Sequence, residues 1–499
     1  MKSLKVVINY ILFFLGLFFL LVTAWTKWYC SFASFDEILY TITSPLEGTG
    51  ESTILNFILI NIGIPLICLI FVIIVRLFNN KYHFIIDLKL FKKNIKLDIF
   101  NFKVYKYIPI CLFIFSFWYM GNELYFFKYL SYQLKTSNFI EDNYVNPESV
   151  SIEFKDNKKN LIYIYLESME MTYADKNSGG SYNKNYIPEL TSLANRNINF
   201  SNSDKLGGAT VVGAASWTIG AMVAQTTGLP LKTVFDGNLL FNYYSEILPG
   251  AYSLGEILED NGYSNYIMFG SNAAFAGRDI YFKNHGNYKI YDYFSAKDDG
   301  IIADDYFVFW GMEDEKLFEY AKKELKKISK NKEPFNFTML TVDTHFQDGY
   351  TSDFCKSVGD NLYLDAIACS SYQVNEFVKW IQKQSFYDNT VIVIVGDHLS
   401  MNNYSFDNIE NSDRTVYNTF INSSVSSDNT KNRLFSTYDY FPTTLAALGA
   451  SIEGDRLGLG TNLFSDKNTI LEDYGYGYVD NELGKNSRYY NKCFINDKC

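Results

Sequence analysis

The sequence predicts membrane helices followed by an α/β domain built on a mostly parallel sheet. Three observations predict it. Two long apolar runs open the chain. Apolar strand runs then alternate with amphipathic helices. Several of those strand runs stop at acidic or histidine side chains. Alternation of this kind implies a parallel sheet covered on both faces. Ligand-type side chains at strand ends place a site at the carboxyl edge of that sheet.

Val6 to Trp25 is almost free of charge and long enough to cross a bilayer, and Ile54 to Val75 is of the same quality. Ile108 to Phe127 is a third candidate, interrupted by Asn122 and Glu123. A cleaved signal peptide is the alternative for the first run. Its apolar stretch exceeds the usual core of ~7–15 residues and no small-residue cleavage site follows. Lys2 and Lys5 precede the first run, and the loop after it carries Asp36, Glu37, Glu47 and Glu51. The segment 76–107 is basic, with Arg76, Lys89, Lys92, Lys93 and Lys96 among its cations. By the positive-inside rule the N-terminus and this segment are cytoplasmic, so the third span would leave the chain after about Lys128 extracytoplasmic. Trp25, Trp28, Tyr29, Trp118 and Tyr119 stand at or near span ends, as an aromatic belt requires.

The expected organisation is a membrane anchor over residues 1–128 with about three transmembrane helices, a polar linker over 129–160, an α/β domain over 161–466 and a tail over 467–499 with no clear period. Strands are predicted at 161–166, 197–201, 265–269, 336–342 and 390–395, and helices at 188–196, 219–227, 314–330 and 372–384. The net charge of −11 argues against nucleic acid as a partner. Cys355 with Cys369 and Cys493 with Cys499 form two local pairs suited to an oxidising exterior, with free thiols as the alternative. Cys30, Cys68 and Cys111 lie in or beside the spans and read as inert thiols.

The chemistry gathers at four places. Glu167 ends the first strand run; Asp343, Thr344 and His345 follow another; Asp397 and His398 follow a third. Ser216-Trp-Thr218 opens a small-residue helix that stops at Gly228-Leu-Pro230. A hydroxyl at a helix N-terminus sits where phosphate is favoured. Taken singly, Thr218 is an N-cap, Glu167 a solvated strand end and His345 a satisfied loop histidine. Together, a carboxylate, an Asp-His pair and a helix-end hydroxyl are the parts of a metal-activated nucleophile. Arg278 and His345 would then contact a phosphate or its leaving group.

At these residues the chain resembles the alkaline-phosphatase/sulfatase superfamily. The stretches that carry the resemblance are Asp36-Glu-Ile-Leu-Tyr, Tyr163-Ile-Tyr-Leu-Glu-Ser, Trp217-Thr-Ile-Gly-Ala-Met-Val-Ala and Gly228-Leu-Pro-Leu. Phe275-Ala-Gly-Arg-Asp with Asn284-His-Gly, Thr341-Val-Asp-Thr-His and Asp397-His-Leu-Ser-Met complete them. A threonine in the nucleophile position is typical of the membrane-anchored branch: lipoteichoic acid synthases, phosphoethanolamine transferases and phosphoglycerol transferases. The match is closest to the phosphoglycerol transferases. The Pro and Arg that sulfatases need around their modified residue are absent. Two further departures are Gln225-Thr-Thr in place of a cysteine-bearing segment, and a chain that stops soon after the α/β domain.

The resemblance implies a sulfatase-like catalytic domain and a metal site of Glu167, Thr218, Asp397 and His398, with Thr218 also the nucleophile. It implies substrate contacts at Arg278 and His345, with His285 a further candidate. The implied cation is Mn²⁺ or Mg²⁺, with Zn²⁺ open because a histidine is among the ligands. The implied reaction moves glycerophosphate from phosphatidylglycerol to a periplasmic or cell-surface glycan and releases diacylglycerol. A phosphoethanolamine transferase, a polyglycerolphosphate synthase and a non-catalytic membrane-anchored glycan-binding protein are the alternatives.

Overall fold

The computed structural model describes residues 2–29, 34–43, 51–82, 85–90, 93–98, 107–232, 246–346, 348–359, 361–401 and 413–499. The chain forms two units. One comprises residues 1–35 and 49–131, the other residues 36–48 and 132–499.

In the first unit, Leu4–Trp28 and Ser52–Phe78 are helices long and apolar enough to cross a membrane. The third predicted span is shorter than expected. The helix Ile108–Glu123 ends where Tyr125 takes a positive φ of 59°, and the chain turns by 72° into Phe126–Gln133. The first and third helices pack closely. A Cβ on Gly16 would lie 2.9 Å from Leu112 Cγ, and Phe19 meets the rings of Phe113 and Phe117. Small residues permit such approach between apolar helices. Cys68 and Cys111 are free thiols. Cys30 and the lysine side chains of the basic segment lie outside the described residues.

The second unit is built on a six-stranded sheet: β1 (Asn160–Leu166), β2 (Ser264–Phe269), β3 (Lys289–Tyr291), β4 (Phe335–Leu340), β5 (Thr390–Gly396) and β6 (Asn418–Ile421). Their order across the sheet is β3-β2-β4-β1-β5-β6, all parallel except β6. The sheet divides two apolar layers. Leu161, Tyr163 and Tyr165 of β1 face one, with Val391, Val393 and Val395 of β5 and the helix Thr218–Thr227. Ile162, Ile164 and Leu166 face the other, with Ile392 and Ile394 and the helices Pro188–Arg196, Asp314–Ile328 and Leu362–Ile381. Both faces of β1 and β5 are buried, which is why these strands read as continuous apolar runs.

Three expectations need correction, and the unplaced tail has a structure. Residues 197–201 form no strand; Ile198 makes a single bridge to Phe420 of β6, and beyond it the backbone of Phe200 pairs with the side chain of Asn418 instead of its backbone. The helix placed at 372–384 runs from Leu362 to Ile381, capped by Asn361, and its small residues Ala366, Ala368, Ser370 and Ser371 weaken the apolar period that marks a helix. The stretch read as a linker is folded: Phe139 and Ile140 enter the core, and Ile152–Glu153 pairs antiparallel with Ser451–Ile452. The tail is folded too. Helices at Ile470–Tyr474, Tyr476–Gly484 and Arg488–Tyr490 send Leu471, Val479, Leu483 and Tyr490 into the same core. The disulfides Cys355–Cys369 and Cys493–Cys499 are both formed, and each closes a local loop.

Gly396 ends β5 directly before Asp397. A Cβ there would lie 2.0 Å from the Met169 carbonyl oxygen. Gly396→Ala should therefore cost about 3 kcal/mol, because backbone, not a flexible side chain, stands in the way. Thermal unfolding of the purified chain tests this; an unchanged melting temperature would mean that the Met169 turn yields freely.

Candidate active site

Three parallel strands deliver the site. β1 pairs in register with β5, Leu166 opposite Gly396, so Glu167 and Asp397 leave the sheet side by side. β4 lies on the other side of β1, with Leu340 opposite Tyr165, and leads into the loop of Thr341, Asp343 and His345. The fourth component comes from above the sheet. Trp217 is the N-cap of the helix Thr218–Thr227, with extended dihedrals and no capping side chain. Thr218 therefore occupies the first helical position and its hydroxyl is not spent on the helix end.

That hydroxyl turns to the strand ends. Thr218 Oγ1 donates to Glu167 Oε2 at 3.3 Å and lies 3.3 Å from His398 Nε2. Glu167, Asp397 and His398 are buried, and each offers a ligand atom within 4.8 Å of the others. The His398 Nδ1–H donates to the Leu399 carbonyl at 2.8 Å, which turns Nε2 toward the carboxylates. Asp397 Oδ1 accepts the backbone N–H groups of Ser168 (2.8 Å) and His398 (2.7 Å). Its buried Oδ2 has no hydrogen-bond partner; His398 Nε2 lies 3.4 Å away.

The electrostatics follow from burial of two acids beside one imidazole. Burial, and then the Glu167 charge, push the Asp397 carboxyl up to about 8. Burial acts on Glu167 in the same sense, but His398 and His345 outweigh it and hold that carboxyl at about 2. Burial opposes charge on His398, yet Asp397 and Glu167 raise it to about 10. An unpartnered buried carboxylate oxygen, a second carboxylate, an imidazole nitrogen and a hydroxyl converging on one point are a donor set that fits a divalent cation.

Two predicted substrate contacts stand beside this cluster. Arg278 is buried and its charge couples to Glu167. Its guanidinium donates to the Phe275 carbonyl (3.1 Å), Ser271 Oγ (2.9 Å) and the Asn272 carbonyl (2.6 Å). His345 donates from Nδ1 to the Phe346 carbonyl at 2.8 Å and packs on Trp310, their centroids 4.5 Å apart. His285 is placed elsewhere. Nε2 meets the Ile247 carbonyl at 2.7 Å and Nδ1 meets Glu256 at 3.1 Å, so both nitrogens serve the packing of the helix that begins at Leu254.

Several residues to which the sequence reading gave no role hold the site in shape. Gln225, on the Thr218 helix, donates to the carbonyls of Gly396 (3.3 Å) and Asp397 (3.2 Å) and accepts from Tyr163 Oη (2.9 Å). It clamps the Thr218 helix to the end of β5. Tyr363 Oη donates to the Thr344 carbonyl at 3.0 Å and meets Ser400 Oγ at 2.7 Å, joining the loops of His345 and His398. Glu170 accepts both Nε and Nη2 of buried Arg414, and also the Ser400 N–H at 2.7 Å. No sequence signal marked the last pair: Glu170 lies three residues from Glu167, and Arg414 directly follows Asp413.

The sulfatase family's model matches residues 159–450. The chain belongs to the sulfatase family. It is 34% identical over 316 residues to phosphoglycerol transferase I of Salmonella choleraesuis, a match covering 62% of this chain and 39% of that one. It is 33% identical over 318 residues to phosphoglycerol transferase I of Escherichia coli, with the same shares covered. The chain thus spans about two fifths of the length of these relatives. The lipoteichoic acid synthase LtaP from Listeria monocytogenes shares the fold, with a TM-score of 0.50 at 20% identity over 66% of this chain and 82% of that one.

Glu170→Gln should destabilise the chain by about 3–5 kcal/mol, because it leaves the Arg414 guanidinium buried without its counter-charge. Chemical denaturation checks this. A loss below about 1 kcal/mol would show the pair to be solvated in solution.

Proposed function

We propose that this chain is a membrane-anchored phosphoglycerol transferase that takes glycerophosphate from phosphatidylglycerol and passes it to a glycan outside the inner membrane. The observation that carries the reading is Thr218 Oγ1, free of the helix cap and 3.3 Å from both Glu167 and His398, in a chain with two membrane-spanning helices. The names of the two relatives supply the headgroup, and the basic segment 76–107 supplies the orientation.

A divalent cation, Mn²⁺ or Mg²⁺ by the oxygen-rich donors and Zn²⁺ by the imidazole, would be held by Glu167, Thr218, Asp397 and His398, would ionise the Thr218 hydroxyl and would neutralise phosphoryl charge. The remaining work falls to the chain. Thr218 Oγ1 attacks phosphorus, the bond to the diacylglycerol oxygen breaks, and glycerophosphate is left on Thr218. The helix N-terminus behind Thr218 favours the phosphoryl oxygens, and Arg278 adds positive charge on the Glu167 side. Since Nδ1 of His345 is tied to the Phe346 carbonyl, Nε2 is the nitrogen that exchanges a proton. It protonates the departing diacylglycerol oxygen and later takes the proton of the attacking sugar hydroxyl. That second attack restores Thr218. The anchor keeps the enzyme on the surface that holds its donor.

Purified chain in detergent with Mn²⁺ should release diacylglycerol from phosphatidylglycerol, and Thr218→Ala should lower the rate by more than about a thousandfold. Release from phosphatidylethanolamine instead would reassign the headgroup. Release from neither lipid by folded chain would end the reading. Chelation should abolish release and also lower the melting temperature, since a cation bound only to the native state stabilises it. Identical melting curves with and without Mn²⁺ would contradict the metal site.

A further inference from the structure

The segment between the two long apolar helices folds onto the catalytic unit. Its helix, Phe35–Thr43, buries Glu37, Leu39 and Tyr40, and residues 36–48 belong to the same compact unit as the site. Tyr40 reaches two elements that carry chemistry. Its ring lies 6.0 Å from that of Trp217, the residue directly before Thr218. Its hydroxyl donates to the Ala276 carbonyl at 2.6 Å. The same helix offers Asp36 to Lys232, a buried lysine four residues beyond the end of the nucleophile helix at Gly228.

Ala276 is not an ordinary turn residue. It has φ 57° and ψ 24°, and Gly277 after it has φ 70° and ψ 18°. Two successive left-handed residues thus lead directly into Arg278, and only the second is a glycine. An alanine in that region is held there by its surroundings and not by its own preference. The Tyr40 hydroxyl is bonded to the carbonyl of that alanine. A Cβ on Gly277 would lie 3.5 Å from the same hydroxyl, so Tyr40 packs along the whole turn. Arg278 itself begins the next helix, and its charge couples to both Tyr40 and Glu167.

We propose that Tyr40 is a positioning residue of the active site, fixing the Ala276-Gly277 turn so that Arg278 faces the phosphoryl position, and bracing Trp217 ahead of the nucleophile. The segment between the spans is then part of the catalytic machinery and not a passive tether. The arginine that meets the anion is set in place by chain from the membrane-anchoring region. The inference rests on the phosphoglycerol-transfer reading only in its choice of donor lipid.

The test uses the full-length chain in detergent with Mn²⁺ and phosphatidylglycerol. Tyr40→Phe keeps the ring on Trp217 and deletes the hydroxyl that bonds to Ala276. It should raise KM for phosphatidylglycerol about three- to tenfold with kcat changed less than about twofold and little change in melting temperature. Tyr40→Ala, which also frees Trp217, should lower kcat as well. In an Arg278→Ala background, Tyr40→Phe should change KM by less than about twofold, because the group it positions is gone. An unaltered KM in Tyr40→Phe overturns the proposal, as does a loss that multiplies in full with that of Arg278→Ala. If the parent chain releases no diacylglycerol, the donor assignment has failed on its own. The same cycle is then read on Mn²⁺-dependent hydrolysis of bis(4-nitrophenyl) phosphate, with the same two outcomes deciding for or against Tyr40.

Discussion

The parallel register of β1 between β4 and β5 is the constraint on which the site depends. Leu166 opposite Gly396 puts Glu167 beside Asp397, and the Asp397 N–H donates back to the Leu166 carbonyl at 3.2 Å. On the other side, the Thr341 N–H donates to the Tyr165 carbonyl at 3.0 Å and brings the His345 loop to the same edge. A slip of one residue in either pairing would turn every side chain to the opposite layer. Because both faces of β1 and β5 are packed with branched aliphatic and aromatic residues, such a slip would expose two cores at once. Geometry at the Glu167-Asp397-His398 cluster is therefore held by apolar burial far from it.

Burial has a cost, and the surroundings offset it. Asp397, Glu167 and His398 are removed from water in one small volume, and backbone amides meet only part of their hydrogen-bonding capacity. Around them the chain spends further buried polar groups on rigidity. Gln225 ties the Thr218 helix to β5, Tyr363 ties the Thr344 carbonyl to Ser400, and Glu170 holds both Arg414 and the Ser400 amide. Each is satisfied by several partners, as a polar network in a core must be.

Much of this was legible in the chain itself. The strands at 160–166, 264–269, 335–340 and 390–396 stand close to where apolar runs place them, and so do the helices at 188–196 and 218–227. What escaped reading was short or aromatic. β3 and β6 have three and four residues, too few for a period. The tail enters the core through Tyr490, Phe494 and isolated aliphatics spread over several brief helices. Gln225 counted as a departure from an expected cysteine, yet its amide bridges elements far apart in sequence.

The sequence by itself determined the two long apolar helices, the main strand runs and the places of Glu167, Thr218, Asp397 and His398 along the chain, because each of these residues sits at the end of a periodic element that local physics defines. Tertiary structure alone decided which of the remaining candidates share their space. His285 and His345 look alike in sequence, each near a glycine or threonine in a loop. Packing engages both nitrogens of one with Ile247 and Glu256, while the other is tied through Nδ1 to the Phe346 carbonyl and lies near enough to influence Glu167. Tyr40 carried no chemical signal at all. Its place beside Trp217 and Ala276 arises from contacts that span well over a hundred residues of chain, and no local pattern encodes a contact of that range.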